Sequence, residues 1–135
     1  MRRAFLWLYV VAASLVVVGV LVQAFSIAAF VRGAGEDALD MHETVGFLTH
    51  SVEIVVLLVA VVAYWGLWRR LLLPLLLPVI GTFQLFAIGD TDKSGGWVNG
   101  LHGLLALVVL LLAVALVQDG VRSLQARRAR PAIAA

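Results

Sequence analysis

Residues 4–30 read AFLWLYVVAASLVVVGVLVQAFSIAAF, a run without a single charged side chain. A bilayer core about 30 Å thick needs about 20 apolar residues of α-helix, so this run is long enough to span a membrane. A secretory signal peptide also begins with basic residues such as Arg2 and Arg3, but its apolar region covers only about 7–15 residues. The run therefore predicts an uncleaved first transmembrane helix.

Three further apolar runs follow, over residues 44–68, 71–88 and 97–117. The chain has 135 residues, of which 63% are hydrophobic and 13% are charged, too few charges to cover a water-soluble domain. Short connections force neighbouring helices to run antiparallel. The sequence therefore predicts one all-α integral membrane domain, an up-down-up-down bundle of four transmembrane helices with a basic tail over residues 122–135.

The distribution of charge predicts how this bundle is oriented. Eight arginines lie at the termini and in the turn at Arg69 and Arg70, whereas the opposite loops carry only Arg32 and Lys93 among several acidic residues. The sequence predicts a protein of the plasma membrane, and the positive-inside rule places both of its termini in the cytoplasm. The net charge of +2 reflects this orientation and contact with lipid, and not a nucleic-acid surface.

Few polar side chains interrupt the apolar runs, and most of them are predicted in one layer near the outer face. At 1.5 Å per residue, His50 lies roughly 9 Å and His102 roughly 7 Å below the outer helix ends. A polar group inside a bilayer costs a few kcal/mol, so such groups face the bundle interior and are candidates for function. The other polar residues of the predicted site are Gln23, Glu53, Gln84 and Asn99.

Two histidines on different helices can ligate haem iron, and an apolar four-helix interior suits the porphyrin. His50 and His102 are the first choice of axial ligands, and His42, about 12 Å above His50, is the alternative ligand. Gly46 and Gly103 lie beside these histidines and leave room for a flat ring. The surrounding polar groups would orient the imidazoles: Gln23, Glu53, Gln84 and Asn99.

Two other interpretations of this layer stay open. Polar side chains between membrane helices often serve only as interhelical hydrogen-bond partners, worth about 0.6 kcal/mol each on average. The same groups also suit another metal ion or a proton pathway, in which Glu53 would be either a partner of a histidine or a relay residue.

Residues 90–95, DTDKSG, have the opening spacing of a calcium-binding loop. The twelfth position of such a loop needs a bidentate glutamate, and Leu101 stands there instead. The segment therefore predicts a solvated turn between the third and fourth helices.

Residues 41–50 read MHETVGFLTH, and residues 101–103 read LHG. On these residues the chain resembles a family of small four-helix bacterial membrane proteins of unassigned function. The His-x3-Gly element at His42 and Gly46 is also similar to that of membrane b-type cytochromes, including ferric-reductase-like and haem A synthase-like bundles. The resemblance implies a single haem b near the outer face, because the chain has three histidines in total.

The sequence thus predicts a small b-type haem-binding membrane protein that acts in electron transfer or haem handling. Its expected partners are the lipid bilayer and a membrane redox protein or further copies of the chain. The alternative is a non-catalytic membrane subunit or assembly partner whose polar layer is structural. No residue pattern in the sequence predicts a specific reaction.

Overall fold

The computed structural model describes residues 2–88 and 96–129, apart from the side chains of residues 87, 88, 98, 99 and 128. Every regular element in these ranges is helical: α1 (Arg2–Val31), α2 (Glu36–Ala63), a 3-10 helix (Trp68–Leu71), α3 (Leu72–Phe83), a π-helical turn (Gln84–Ile88) and α4 (Gly96–Arg128). The protein is therefore all-α, and four of its helical segments are long and apolar enough to cross a membrane.

The four long helices pack in a ring. Helix α2 lies between α1 and α3, and α4 closes the ring by packing against α3 and α1. Gly19 of α1 faces Thr49 of α2, and Gln23 faces Gly46, so the two helices run antiparallel. Within the described ranges, the backbones of α2 and α4 lie on a diagonal and do not touch. Side chains from these two helices can therefore meet only in the interior.

Two glycines permit the closest helix contacts. A methyl group at Gly19 would collide with the hydroxyl group of Thr49, and one at Gly81 would collide with the carboxylate of Glu53. Glycine allows helix backbones to approach closely in membrane proteins, where packing contributes most of the attraction between helices. Gly19 thus sets the spacing of α1 and α2, and Gly81 sets that of α2 and α3.

Helix α2 begins earlier in the chain than predicted, at Glu36. The chain reverses direction at Gly33 and Gly35, whose φ angles of 91° and 87° suit only glycine without strain. Asp40 and Glu43 have the spacing of an N-cap residue and its capping partner, which predicts a helix start at Asp40. Both residues instead lie inside the helix, and the N-cap is Gly35 without a side-chain hydrogen bond. The predicted capping pair was wrong because the glycine turn upstream decides where the helix starts.

The third and fourth segments also differ from their predicted extent. The segment predicted over residues 71–88 is helical throughout, but α3 itself ends at Phe83 and continues as the π-helical turn. Helix α4 continues to Arg128, well past the predicted end at residue 117, and so carries Asp119 and Ser123. These two residues reach the end of the bundle that holds the turn between α2 and α3.

The bundle has two different ends and an apolar middle. We call the end that holds Arg69 and Arg70 the arginine end, and the end that holds His42 and His102 the histidine end. The core between them consists of fully buried apolar side chains, among them Leu6, Val16, Val56, Leu77, Ala113 and Leu116. Large apolar side chains are exposed on all four helices, as a surface in contact with lipid requires.

Candidate functional site

A small polar cavity lies between the four helices, toward the histidine end. Its volume is about 50 Å³, which is room for a few water molecules. Every long helical segment contributes a polar side chain to its wall, and these are Gln23, Thr49, His50, Glu53, Gln84 and His102. The rest of the lining consists of Gly46, Gly81 and the apolar residues Val20, Leu85, Ala106 and Val109. Five of the residues predicted to form one layer thus meet at one place.

His50 and Glu53 form a pair on one side of this cavity. His50 Nδ1 and Glu53 Oε2 are hydrogen-bonded at 2.9 Å, and the two side chains are only 14% and 4% exposed. On the other side of the ring, Thr82 Oγ1 lies 3.4 Å from His50 Nε2. Both ring nitrogens of His50 therefore face protein groups, and the imidazole is turned toward α3.

His42 and His102 face each other across the diagonal between α2 and α4. Their ring centroids are 6.1 Å apart, with the ring planes inclined by 57°. His42 lies six residues after the start of α2 at Glu36, and His102 lies six residues after the start of α4 at Gly96. The equal distance from the two helix starts explains why these histidines, and not His50 and His102, lie at the same level.

The ring nitrogens of His42 and His102 are in different situations. His42 Nδ1–H donates to the backbone carbonyl oxygen of Gln23 at 3.0 Å, which leaves the Nε2 lone pair available. Metal-ligating histidines are commonly held in this way by their second nitrogen. His102 Nδ1 is buried and has no hydrogen-bond partner among the residues that the structure describes. One imidazole is thus held in place, and the other has a buried polar atom without a partner.

The donor set fits haem iron better than a bare metal ion. Over residues 2–88 and 96–129, no group of three or more His, Cys, Asp or Glu side chains could hold a metal ion. Haem supplies four porphyrin nitrogens itself, so two imidazoles complete its coordination.

The cavity, which His102 lines and His42 does not, is smaller than a porphyrin. Pockets for ligands of drug size measure roughly 300–1,000 Å³, against about 50 Å³ here. A methyl group added at Gly100 or Gly103 would meet no described atom within 4 Å, so α4 is not packed tightly on that face. A porphyrin between His42 and His102 therefore requires the histidine ends of α2 and α4 to move apart.

The other predicted site residues support the cavity in different ways. Gln84 Nε2 donates to the backbone carbonyl oxygen of His102 at 3.0 Å, which ties the π-helical turn to α4. The backbone carbonyl oxygen of Gln23 accepts the hydrogen bond from His42, and the side-chain oxygen of Gln23 lies against Gly46. The side chain of Asn99 and residues 90–95 of the calcium-loop motif lie outside the described residues.

A second polar cluster, which sequence reasoning missed, lies at the arginine end. Tyr64 donates its hydroxyl hydrogen to Asp119 Oδ2 at 2.6 Å, and Arg70 Nη1 donates to Ser123 Oγ at 3.0 Å. The Arg70 guanidinium lies 5.3 Å from the centroid of the Tyr64 ring. Burial, together with the hydrogen bond to Asp119, raises the pKa of Tyr64 to about 12.

The signal for this cluster was the single carboxylate at position 119. Asp119 follows a long apolar run, and a carboxylate at that depth needs a partner. The predicted fourth helix ends two residues before Asp119, so the sequence predicts no contact between Asp119 and the turn after α2.

No known protein family, curated protein or solved structure matches this chain. The resemblance of residues 41–50 and 101–103 to b-type cytochromes therefore stays a prediction.

Proposed function

We propose that this is an integral membrane protein of the cell membrane that binds one b-type haem between His42 and His102. The observation that carries the proposal is the facing pair of imidazoles, 6.1 Å apart, in which His102 Nδ1 is buried without a described partner. Haem supplies one-electron redox chemistry when it is bound. The proposed activity is electron transfer or haem handling, with a membrane redox protein or a second copy of the chain as partner.

The charge distribution supports a location of this site at the outer face. The positive-inside rule assigns the arginine end, with both termini, to the cytoplasm. Helix α2 has 28 residues, roughly 42 Å at 1.5 Å per residue, whereas the bilayer core is about 30 Å thick. Its first turns, with Glu36 and Asp37, therefore extend beyond the bilayer, and His42 lies near the outer boundary.

Residues of the chain position the two histidines, and apolar residues of α2 separate the site from the arginine end. The Gln23 carbonyl group fixes the rotation and tautomer of His42, and Gln84 holds the α4 backbone at His102. Toward the centre of the bundle, His50 and Glu53 satisfy one another, and residues 54–63 of α2 are all apolar. Electrons and protons are therefore expected to enter from the outer side.

Absorption spectroscopy on purified protein, produced with ample haem, tests this proposal. We expect a Soret band and sharp reduced α and β bands in the unaltered chain. His42→Ala and His102→Ala should lose these bands, whereas His50→Ala should keep them, because His50 binds Glu53. Loss of the bands in His50→Ala with retention in His42→Ala would assign the pair predicted from sequence. A colourless unaltered protein would rule out haem.

The small cavity favours a second candidate function, a non-catalytic membrane subunit or assembly partner. In that case the polar layer serves only to join the helices, and the contacts of Gln23, Gln84, His50 and Glu53 are structural. The same experiment separates the two candidates. A structural layer predicts that His42→Ala, His50→Ala and His102→Ala change thermal stability in the absence of any haem spectrum.

A further inference from the structure

The turn that follows α2 forms a concave site at the arginine end, far from the histidines. Its volume is about 300 Å³, and it is lined by Gly66, Leu67, Trp68, Arg69 and Arg70. Gly66 has a φ of 84°, which lets the chain reverse tightly between α2 and the 3-10 helix. The pocket therefore combines two guanidinium groups, an indole ring and an apolar side chain within five consecutive residues.

The two arginines are held in place by different neighbours. The Arg69 guanidinium lies 5.6 Å from the centroid of the Trp68 ring, a cation–π contact. Arg70 donates to Ser123, and Arg70 Nη1 lies 3.8 Å from Asp119 Oδ1. The carboxylate of Asp119 neutralises part of the charge of Arg70, and the pocket keeps a net positive charge. Guanidinium groups match the geometry of phosphate oxygens and often bind them in a bidentate manner.

The apolar rim of the pocket indicates where it lies relative to a bilayer. Trp65 and Trp68 are 69% and 64% exposed, and Leu67 is 54% exposed. Tryptophan is enriched where lipid headgroups meet acyl chains, which is also the level of the lipid phosphates. A soluble anion would need only the arginines, whereas exposed indole and leucine side chains at the same opening suit a ligand with an apolar part.

We propose that the pocket at residues 66–70 binds the phosphate group of an anionic phospholipid. Arg69 and Arg70 contact the phosphate, and Trp68 and Leu67 contact the glycerol and upper acyl chains. Basic pockets on membrane helices bind anionic headgroups by the same chemistry. The site depends neither on haem nor on His42 and His102, so failure of one proposal leaves the other unaffected.

Tryptophan fluorescence in vesicles tests this site, because Trp68 lies in the pocket. The probes are vesicles with brominated phosphatidylglycerol or with brominated phosphatidylcholine, whose bromine atoms quench nearby indoles. We expect stronger quenching by the anionic lipid. Arg69→Gln should weaken the apparent affinity for it about fivefold or more, as expected for one arginine at a charged surface. Arg122→Gln, an exposed position on α4 outside the pocket, is the matched control and should weaken it less.

Three results would overturn the assignment. Equal quenching by the two brominated lipids would show no preference for the anionic headgroup. Equal losses in Arg69→Gln and Arg122→Gln would indicate a diffuse basic surface. Release of the quenching by inorganic phosphate at constant ionic strength would identify a free anion as the ligand. Arg69→Lys, which keeps the charge but loses the planar guanidinium, should retain part of the preference and so supports a phosphate-specific contact.

Discussion

Tyr9 and Tyr64 are two neighbouring tyrosines whose hydroxyl groups are in opposite situations. Their rings pack edge to face, 5.6 Å apart at 88°. The Tyr64 hydroxyl group donates to Asp119, whereas the Tyr9 hydroxyl group is buried and has no partner within the described part of the chain. An unpaired buried hydroxyl group costs about 1–3 kcal/mol. The ring of Tyr9 therefore stabilises the core, and its hydroxyl group destabilises it.

This contrast predicts opposite effects of the same chemical change. Tyr9→Phe should leave the free energy of unfolding unchanged or raise it by about 1 kcal/mol, because only an unpaired group is removed. Tyr64→Phe should lower it by about 1–3 kcal/mol, because Asp119 loses its donor. Thermal unfolding of the two variants in the same detergent measures both. An equal loss of stability in Tyr9→Phe would mean that its hydroxyl group has a partner.

A second pair of single substitutions tests the contact between α2 and α3. Gly81→Ala places a methyl group against Glu53 and His50, so we expect a loss of about 1–3 kcal/mol in unfolding free energy. Gly100→Ala is the matched control, because its methyl group meets no described atom within 4 Å. Alanine favours a helix by about 1 kcal/mol over glycine, so the control should be neutral or stabilising. Similar losses in both variants would contradict a packing role specific to Gly81.

At the scale of the helices, hydropathy predicted the spans well and their ends poorly. A long apolar run leaves few alternatives to a spanning helix, but the start of α2 depends on the turn at Gly33 and Gly35. When the depths of the histidines are counted from a helix start near Thr44, His50 comes to the level of His102. Counted from Glu36, His42 is at the level of His102. The members of the polar layer were predictable from depth, whereas their pairing depended on a helix end that hydropathy does not fix.

The last turns of α4 are held against the turn after α2 by a few side chains, and this predicts local unfolding when they are removed. Asp119→Leu removes the acceptor for Tyr64 and the carboxylate near Arg70. We expect a loss of about 1–3 kcal/mol in stability and faster amide exchange over residues 118–128. Exposed Gln118→Leu is the control and should leave exchange unchanged. Unchanged exchange in Asp119→Leu would show that packing alone holds this end of α4.

For the whole molecule, the two polar ends are separated by an apolar middle. On α2, the ten residues 54–63 between Glu53 and Tyr64 are all apolar. The cavity beside His102 therefore has no polar connection along this helix to the cluster around Asp119. The histidine end and the arginine end are consequently separate polar regions, and the proposed orientation assigns them to opposite faces of a bilayer.

Cysteine labelling determines that assignment, and the chain suits the method because it has no cysteine of its own. Asp37→Cys introduces a thiol at the exposed start of α2, and Arg127→Cys introduces one at the exposed end of α4. In intact cells, a maleimide that does not cross membranes should label position 37 and should label position 127 only after permeabilisation, because the positive-inside rule places the arginine end inside. Labelling of both positions in denatured protein controls for thiol reactivity. The reverse pattern in intact cells would place the histidine pair at the cytoplasmic face, and the proposed exchange of electrons at the outer face would then be wrong.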